Sequence, residues 1–419
     1  MRVLLVGGGG REHAVGWKLA QSKTITDLIA VPGNPGFAQL GACVPGIDIL
    51  DPDAIVDLAL ANAIDLVVIG PEAPLAAGVV DALTAAGIRA FGPTKAGAQL
   101  ESSKAFAKNI MKRAGVPTAT WRAFTDVDEA IAYLEEIEGP YVVKADGLAY
   151  GKGVLVTEDL IAAQGWARLC VGGEFGEAGS TVVVEQHLPG QEVSVFAICD
   201  GTRAVALEPA RDYKRHRDGD RGPNTGGMGC YSPVADLPED LVDRTIDEIF
   251  HPVLAEMHND GIEYRGFLYA GLVLTDDGPK VLEFNCRLGD PETQVLLARL
   301  DEDLLELLAS AAEGYLPDGP LIWRDTAAVD VVLTAAGYPD NPEVGRAISG
   351  VNVVRSIPNV EVFHANTRRT PEGLVTAGGR VLNIVATGDT IEAARSLAYE
   401  AASHIHFGGI HYRRDVAQS

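Results

Sequence analysis

Short apolar runs alternate with helical spacing through the first hundred residues of the chain. Residues 3–9, VLLVGGG, carry a strand into a glycine cluster, and 11–21 then repeat apolar positions at helical spacing. A second strand at 28–31 runs into Pro32-Gly33-Asn34-Pro35-Gly36. A helix at 53–63, a strand at 65–69 ending in Gly70-Pro71-Glu72, a helix at 75–86 and a strand at 88–91 follow. Strands alternating with helices in this way predict a doubly wound parallel sheet. Ligands of such sheets sit at the carboxyl ends of the strands. The turns at 7–10, 33–36 and 70–75 all fall there, which predicts a small-molecule site on that rim.

The pattern then changes. A helix at 103–113 carries Lys104, Lys108 and Lys112 four residues apart, spacing that a solvated basic stripe explains. The stretch 141–154, YVVKADGLAYGKGV, places Lys144 on an apolar strand just ahead of a glycine-rich loop at 147–153. Such a lysine beside a mobile loop suits triphosphate oxygens, although an incidental lysine on a hairpin has the same pattern. A β-branched strand at 181–185, TVVVE, is followed by Gln186, Leu188 and Glu192, a backbone edge and a carboxylate suited to adenine and ribose. Charge and bare backbone N–H groups meet at 211–215 and in GPNTGGMG, 222–229. Two strands at 272–275 and 280–285 flank a turn at 276–278. Strand alternation puts Glu283 and Asn285 on one face and Leu282 and Phe284 on the other. The polar pair is either the solvated face of an edge strand or a pair of hard oxygen donors for Mg²⁺. From about residue 321 the pattern is that of a small α+β domain, with strands at 329–334, 360–364 and 380–387, a helix at 390–404 and a terminal strand.

Composition narrows the classes. The chain of 419 residues has room for several domains, and 47% hydrophobic residues support a sizeable core. A formal charge of −24 argues against nucleic acid or an anionic membrane as partner. Five scattered cysteines without a CxxC pair fit reduced thiols. No apolar run is long enough to span a membrane, and the N-terminus lacks a signal peptide, so a cytoplasmic protein is expected. No repeat appears, and no fused enzyme domain is expected after Ser419. The dinucleotide fingerprint fails: the last position of G-x-G-x-x-G is Glu12 counted from Gly7 and His13 counted from Gly8, and no acid follows the second strand. The loop at 147–153 is not a P-loop either.

Together, Lys104, Lys144, the 147–153 loop, the 185–192 strand end and the Glu283/Asn285 pair resemble the ATP-grasp superfamily in order and spacing. The longer motifs GGREHA (9–14), GPEAPL (70–75), KADGLAYGKGV (144–154), GPNTGGMG (222–229) and EFNCRLGDPETQ (283–294) narrow the resemblance to the phosphoribosylamine–glycine ligase family. The resemblance implies an α/β N-terminal domain (1–103), a two-lobed ATP-grasp core in a first part with the mobile lobe (104–190) and a central catalytic part (191–320), and a C-terminal α+β domain (321–419). It implies ATP and Mg²⁺ (or Mn²⁺) as cofactors, with the metal on Glu283 and Asn285, and Lys104, Lys144, Gly147, Gly151, Gly153, Glu185, Gln186, Leu188 and Glu192 around ATP. Glycine and 5-phosphoribosylamine would be held by Gly8, Gly9, Gly10, Arg11, Glu12, Asn34, Gly70, Pro71, Glu72, Asn224, Thr225, Gly226, Gly227, Arg287, Pro291 and Glu292. Arg287, Lys144, Asp212 and Asp290 would be catalytic, the proton acceptor being Asp212, Asp290 or Glu292. A monomer or weak homodimer is expected. Three positions depart from the family pattern: Tyr150, Gln186 and Leu288. The strand before Glu283 also lacks the acid that many relatives carry there. A neighbouring ATP-grasp ligase or carboxylase with another acceptor is the alternative, and a nucleotide sensor without activity is a further one.

Overall fold

The structure is a computed structural model and describes residues 1–148 and 153–418. Tyr150 and Gly151 lie outside the described residues.

The N-terminal sheet is parallel, in the order Ala42–Cys43, Asp27–Pro32, Arg2–Gly7, Leu66–Ile69, Ala90–Phe91. Its central strand is apolar on both faces, as burial on both sides requires. Gly7 pairs with Pro32 and Val6 with Ile69, so the three turns leave from one rim as expected. The single helix expected at 75–86 is instead two, Glu72–Ala77 and Val79–Ala85. Gly78 separates them at φ +93°, a left-handed conformation that glycine adopts without a Cβ clash.

A four-stranded antiparallel sheet forms a lobe of its own, in the order Trp121–Phe124, Val182–Gln186, Tyr141–Ala145, Val154–Thr157. The helices Val127–Glu136 and Leu160–Leu169 bury Ala130, Leu134, Ala163 and Ala167 against Val143 and Val184. Asp126 and Asp159 cap these helices by accepting backbone N–H bonds.

The largest sheet has eight antiparallel strands: Gly278–Asn285, Tyr264–Thr275, Gln191–Gly201, Ala204–Asp212, Gly229–Ser232, Ala327–Thr334, Arg380–Gly388 and Val360–His364. It runs unbroken from the central segment into the C-terminal one where Gly229–Ser232 pairs with Ala327–Thr334. The helix Glu292–Arg299 packs on this sheet and on Gly10–Leu19, tying the N-terminal sheet to the core. The expected terminal strand does not form. Among the described residues, 404–418 makes only single bridges, Ser349 to His406 and Thr334 to His411. The chain turns at Gly409 (φ +76°), and beyond it buried Arg413 pairs with Asp220 and Asp415 and lies over the Tyr213 ring. None of the described helices is long and apolar enough to cross a membrane.

Candidate active site

Thr275 pairs with Gly278, and the resulting hairpin lays Glu283 opposite Gly271 and Asn285 opposite Tyr269. Phe284 is buried in the core on the other face. Asn285 is buried, whereas Glu283 stays partly exposed on the floor of a cleft whose walls crowd its carboxyl. Burial pushes that carboxyl up, but Lys214, then Lys144, Lys104 and Arg287 outweigh it and hold the group below the usual carboxylate range. No side-chain hydrogen bond engages either residue among the described residues, so both oxygens stay free for a ligand. Two free hard oxygens fit a Mg²⁺ that draws the rest of its octahedron from water and phosphate. No cluster of three or more His, Cys, Asp or Glu suited to a metal exists among the described residues, so such an ion would take few ligands from the chain.

One wall of the cleft is built around Glu185. Its Oε2 accepts from Lys108 Nζ at 3.0 Å and from Lys144 Nζ at 3.1 Å, while its Oε1 is buried without a partner. Lys144 also donates to Leu282 O at 3.4 Å, next to the floor. Lys104 donates to Asp146 O and Gly147 O, at the start of the glycine-rich loop. Lys108 is 2% exposed and also donates to Thr118 Oγ1. The solvated basic stripe is therefore corrected: Lys112 is exposed, but Lys108 lies under the strand Val182–Gln186, and burial lowers its ammonium to about 8. At the end of that strand Gln186 is exposed and its N–H donates to Thr120 O, and past it Leu188 is half-buried.

Acids and their counter-ions form the opposite wall. Lys214 Nζ lies 2.7 Å from Glu192 Oε2. Asp212, Glu192 and Glu283 hold the Lys214 proton well above the usual lysine range against the opposing pull of burial. Burial raises the Asp212 carboxyl. Burial and the Asp212 charge push Glu292 up to about 7, and Glu292 Oε1 accepts from Ser194 Oγ at 3.2 Å. Asp290 behaves differently: Arg380 at 3.2 Å, then Arg11 and the Gln294 amide, hold it below the usual range despite burial. Arg380 also donates to Gly226 O and Asp290 O, clasping the 222–229 loop. Thr225 donates to Lys214 O, and Gly227, at φ +112°, leaves no room for a Cβ beside Pro291. Asn224 is exposed on the strand Arg221–Asn224.

The glycine rim closes the end. Gly9 N donates to Glu12 Oε2 at 2.8 Å and Arg11 Nε to Glu12 Oε1 at 2.6 Å. A side chain at Gly7 or Gly70 would run into Glu12, so these glycines make room for a buried carboxylate. Gly8 approaches Gly33 O closely, and Gly10 packs on Gln294 and Asn383. Asn34 is spent on structure: its Nδ2 donates to Gly8 O, Gly9 O and His364 O, and its Oδ1 accepts from Gly36 and Phe37. Pro71 precedes the helix Glu72–Ala77, whose Glu72 takes Arg287 Nε at 3.2 Å and lies 3.9 Å from Arg11.

Three models of phosphoribosylglycinamide synthetase domains tile the sequence: N domain over 1–101, ATP-grasp (A) domain over 102–293 and C domain over 328–419. The chain is 47% identical to phosphoribosylamine–glycine ligase of Rhizobium meliloti over 416 residues, covering 99% of this chain and 98% of that one. It is 48% identical to the same enzyme of Caulobacter vibrioides over 418 residues, covering 99% and 97%. The chain belongs to the phosphoribosylamine–glycine ligase family. The crystal structure of that ligase from Thermotoga maritima superposes with a TM-score of 0.87 at 38% identity, covering 99% of this chain and all of that one. A biotin carboxylase from Campylobacter jejuni shares the ATP-grasp fold at TM-score 0.76 and 18% identity, over 98% of this chain and 92% of that one.

Within this family fold the structure brings Lys104, Lys144, Glu185, Glu283, Asn285, Arg287 and Asp212 to one cleft. It adds three residues that the sequence alone did not point to, Lys108, Arg380 and Glu101, and picks Lys214 out of the charged 211–215 segment. Lys214 lies just past the end of the strand Ala204–Asp212, within that charged segment. Glu101, which lies 2.9 Å from Arg287 across 186 positions, had no local signal.

Proposed function

We propose that the chain joins glycine to 5-phosphoribosylamine, with ATP cleaved to ADP and phosphate, giving glycinamide ribonucleotide for purine biosynthesis by way of glycyl phosphate. One observation carries the reading: free Glu283 and Asn285 oxygens on a cleft floor whose nearest charges are Lys214, Lys144, Lys104 and Arg287. The glycine carboxylate and the γ-phosphate are both anions, and these cations offset their repulsion while fixing their approach. Mg²⁺ or Mn²⁺ on Glu283 and Asn285 would supply further charge neutralisation at the phosphates. Lys144 and Lys104 reach ATP from beside the glycine-rich loop, and the 185–192 segment borders adenine and ribose. Arg287 faces the acyl oxygen. The rim at Gly8–Glu12 and Gly70–Glu72, with the 224–227 loop, receives the phosphoribosylamine.

The amine loses a proton as it attacks the acyl carbon. Asp290, locked ionised by Arg380, is a weak proton acceptor. Glu292, pushed up to about 7 by burial and the Asp212 charge, is a stronger one, and burial raises Asp212 beside it. The test is ADP release with glycine alone, with glycine plus freshly prepared phosphoribosylamine, and with bicarbonate in place of glycine. Release requiring both substrates supports the assignment. Release supported by bicarbonate would place the chain among the carboxylases instead.

A further inference from the structure

We propose that Glu101, with Glu72 as its counterpart, is a positioning residue that sets the plane of the Arg287 guanidinium for catalysis. The inference deepens the function proposed above and rests on it. Glu101 belongs to the short helix Gln99–Ser102, just before the helix that begins at Lys104. Its Oε1 lies 2.9 Å from Arg287 Nη2, and its Oε2 accepts the Cys286 N–H at 2.8 Å. The carboxylate therefore holds both the side chain of Arg287 and the backbone immediately before it. From the other edge Glu72 Oε2 lies 3.2 Å from Arg287 Nε, and Nη1 donates to Leu288 O at 3.3 Å. A guanidinium has five N–H donors in a rigid plane. Two N–H groups donate, to Glu72 and to Leu288 O, and the Glu101 charge pins the far edge, so the remaining N–H groups can address an anion only if the plane is fixed.

The clamp spans three parts of the chain: the helix Glu72–Ala77 of the N-terminal segment, the short helix Gln99–Ser102 and the loop after the strand Gly278–Asn285. Both carboxylates are largely shielded from water, Glu101 at 7% and Glu72 at 19% side-chain exposure, so neither is a solvated surface partner. Burial drives the Glu101 carboxyl up to about 7 although Arg287 opposes this, and the neighbouring Glu72 charge adds to the rise. Keeping two acids on one buried cation carries a desolvation cost that packing alone does not require.

A double-mutant cycle on kcat, at saturating Mg²⁺, ATP, glycine and phosphoribosylamine, tests the proposal with E101Q, R287K and the pair. E101Q keeps the shape of the side chain and should lower kcat about 10²-fold, the cost of misplacing a catalytic group, with the KM for ATP little changed. The double variant should be no slower than R287K, because Glu101 acts only through Arg287. Losses that multiply in the double variant, or an E101Q kcat equal to the parent's, would overturn the proposal. Should E101Q not fold, E101D stands in, and partial rescue relative to E101A is the expected result; equal activity of the two would overturn it. A parent without glycine-dependent ADP release sinks the function itself, whereas an active parent with an indifferent Glu101 sinks only the clamp.

Discussion

Glu185→Gln tests the electrostatics of the cleft wall most directly. The substitution keeps the volume and one acceptor oxygen but removes, among the described residues, the only negative charge within hydrogen-bond reach of the Lys108 and Lys144 ammonium groups, both nearly inaccessible to water. Removing one partner of a buried ion pair costs about 3–5 kcal/mol. That figure is an upper bound here, because a lysine can release its proton instead of remaining as an unpaired buried charge. Lys108 is already lowered from its ordinary 10.5 to about 8 by burial, against the pull of Glu185. Its ammonium thus costs the fold about 3 kcal/mol at neutral pH relative to the unfolded chain, where it titrates normally. For a base with a lowered folded pKa, the unfolded state binds more protons between the two pKa values. Stability therefore rises with pH from about 8 to about 10.5, and the full cost applies below about 8.

Without Glu185 the Lys108 pKa falls further. The variant should be destabilised by about 1–3 kcal/mol at pH 7, with the Lys108 share of the defect shrinking as pH rises through about 8 and gone by about pH 9, where Lys108 is neutral in both proteins. The measurement is the shift in thermal unfolding midpoint between variant and parent, from pH 6.5 to about 9.5, with ATP affinity measured alongside. A defect of the same size across that range would refute the charge argument. So would an unfolding midpoint at neutral pH equal to the parent's.

Glu283→Gln should leave the fold intact and cut glycine-dependent ADP release at least about 10²-fold, with the Mg²⁺ requirement moved to higher concentration; a folded variant with the parental Mg²⁺ titration would remove the metal assignment. Glu292→Gln removes the carboxyl that burial and the Asp212 charge push up to about 7. An acid that must be ionised to accept a proton loses activity as pH falls through its pKa, so the acidic limb of kcat, near pH 7 in the parent, should move to lower pH in the variant. A limb that stays in place would exclude Glu292 as proton acceptor. Gly10→Ala drives a methyl group into Asn383 and to 2.9 Å from Gln294 Nε2, both buried, and should cost about 1–3 kcal/mol in thermal unfolding. An unchanged midpoint would show that the helix Gly10–Leu19 is free to move away from the C-terminal sheet.

What could be read from the sequence was what is local. The parallel sheet announced itself because Gly7, Pro32 and Gly70 stop apolar runs where each strand must turn. Alternation put Glu283 beside Asn285 without any tertiary knowledge. Lys108 shows the limit: a four-residue spacing names a helix face but not what later covers it, and the covering strand arrives about 75 residues on. Gly78 shows another, since a single left-handed glycine divides a helix that periodicity joins. Lys214–Glu192, Arg380–Asp290 and Arg287–Glu101 join segments brought together only by the large sheet and the loops around it, so no window of sequence contains them.

These pairings bear on how an acidic chain holds an anionic ligand. Against a formal charge of −24, several cations of the cleft rest against a carboxylate: Lys144 on Glu185, Lys214 on Glu192, Arg380 on Asp290, Arg287 on Glu72 and Glu101. Lys104 differs, resting on backbone carbonyls at the start of the glycine-rich loop. The pairings differ in how easily they yield. Lys214–Glu192 is partly solvated, with side-chain exposures of 36% and 54%, so exchanging its carboxylate for a phosphate costs little. Lys144 and Glu185 are at 9% and 2% and hydrogen-bonded within the wall, so that lysine keeps its carboxylate. Lys214 and Lys104, without a buried carboxylate partner, are then the cations whose contacts exchange most readily, within a frame set by the buried Lys144–Glu185 pair and by Arg287 between Glu72 and Glu101. Such a division lets the wall stay ordered when the cleft is empty and leaves the adjustable charge beside the loop and strand end proposed to receive the nucleotide.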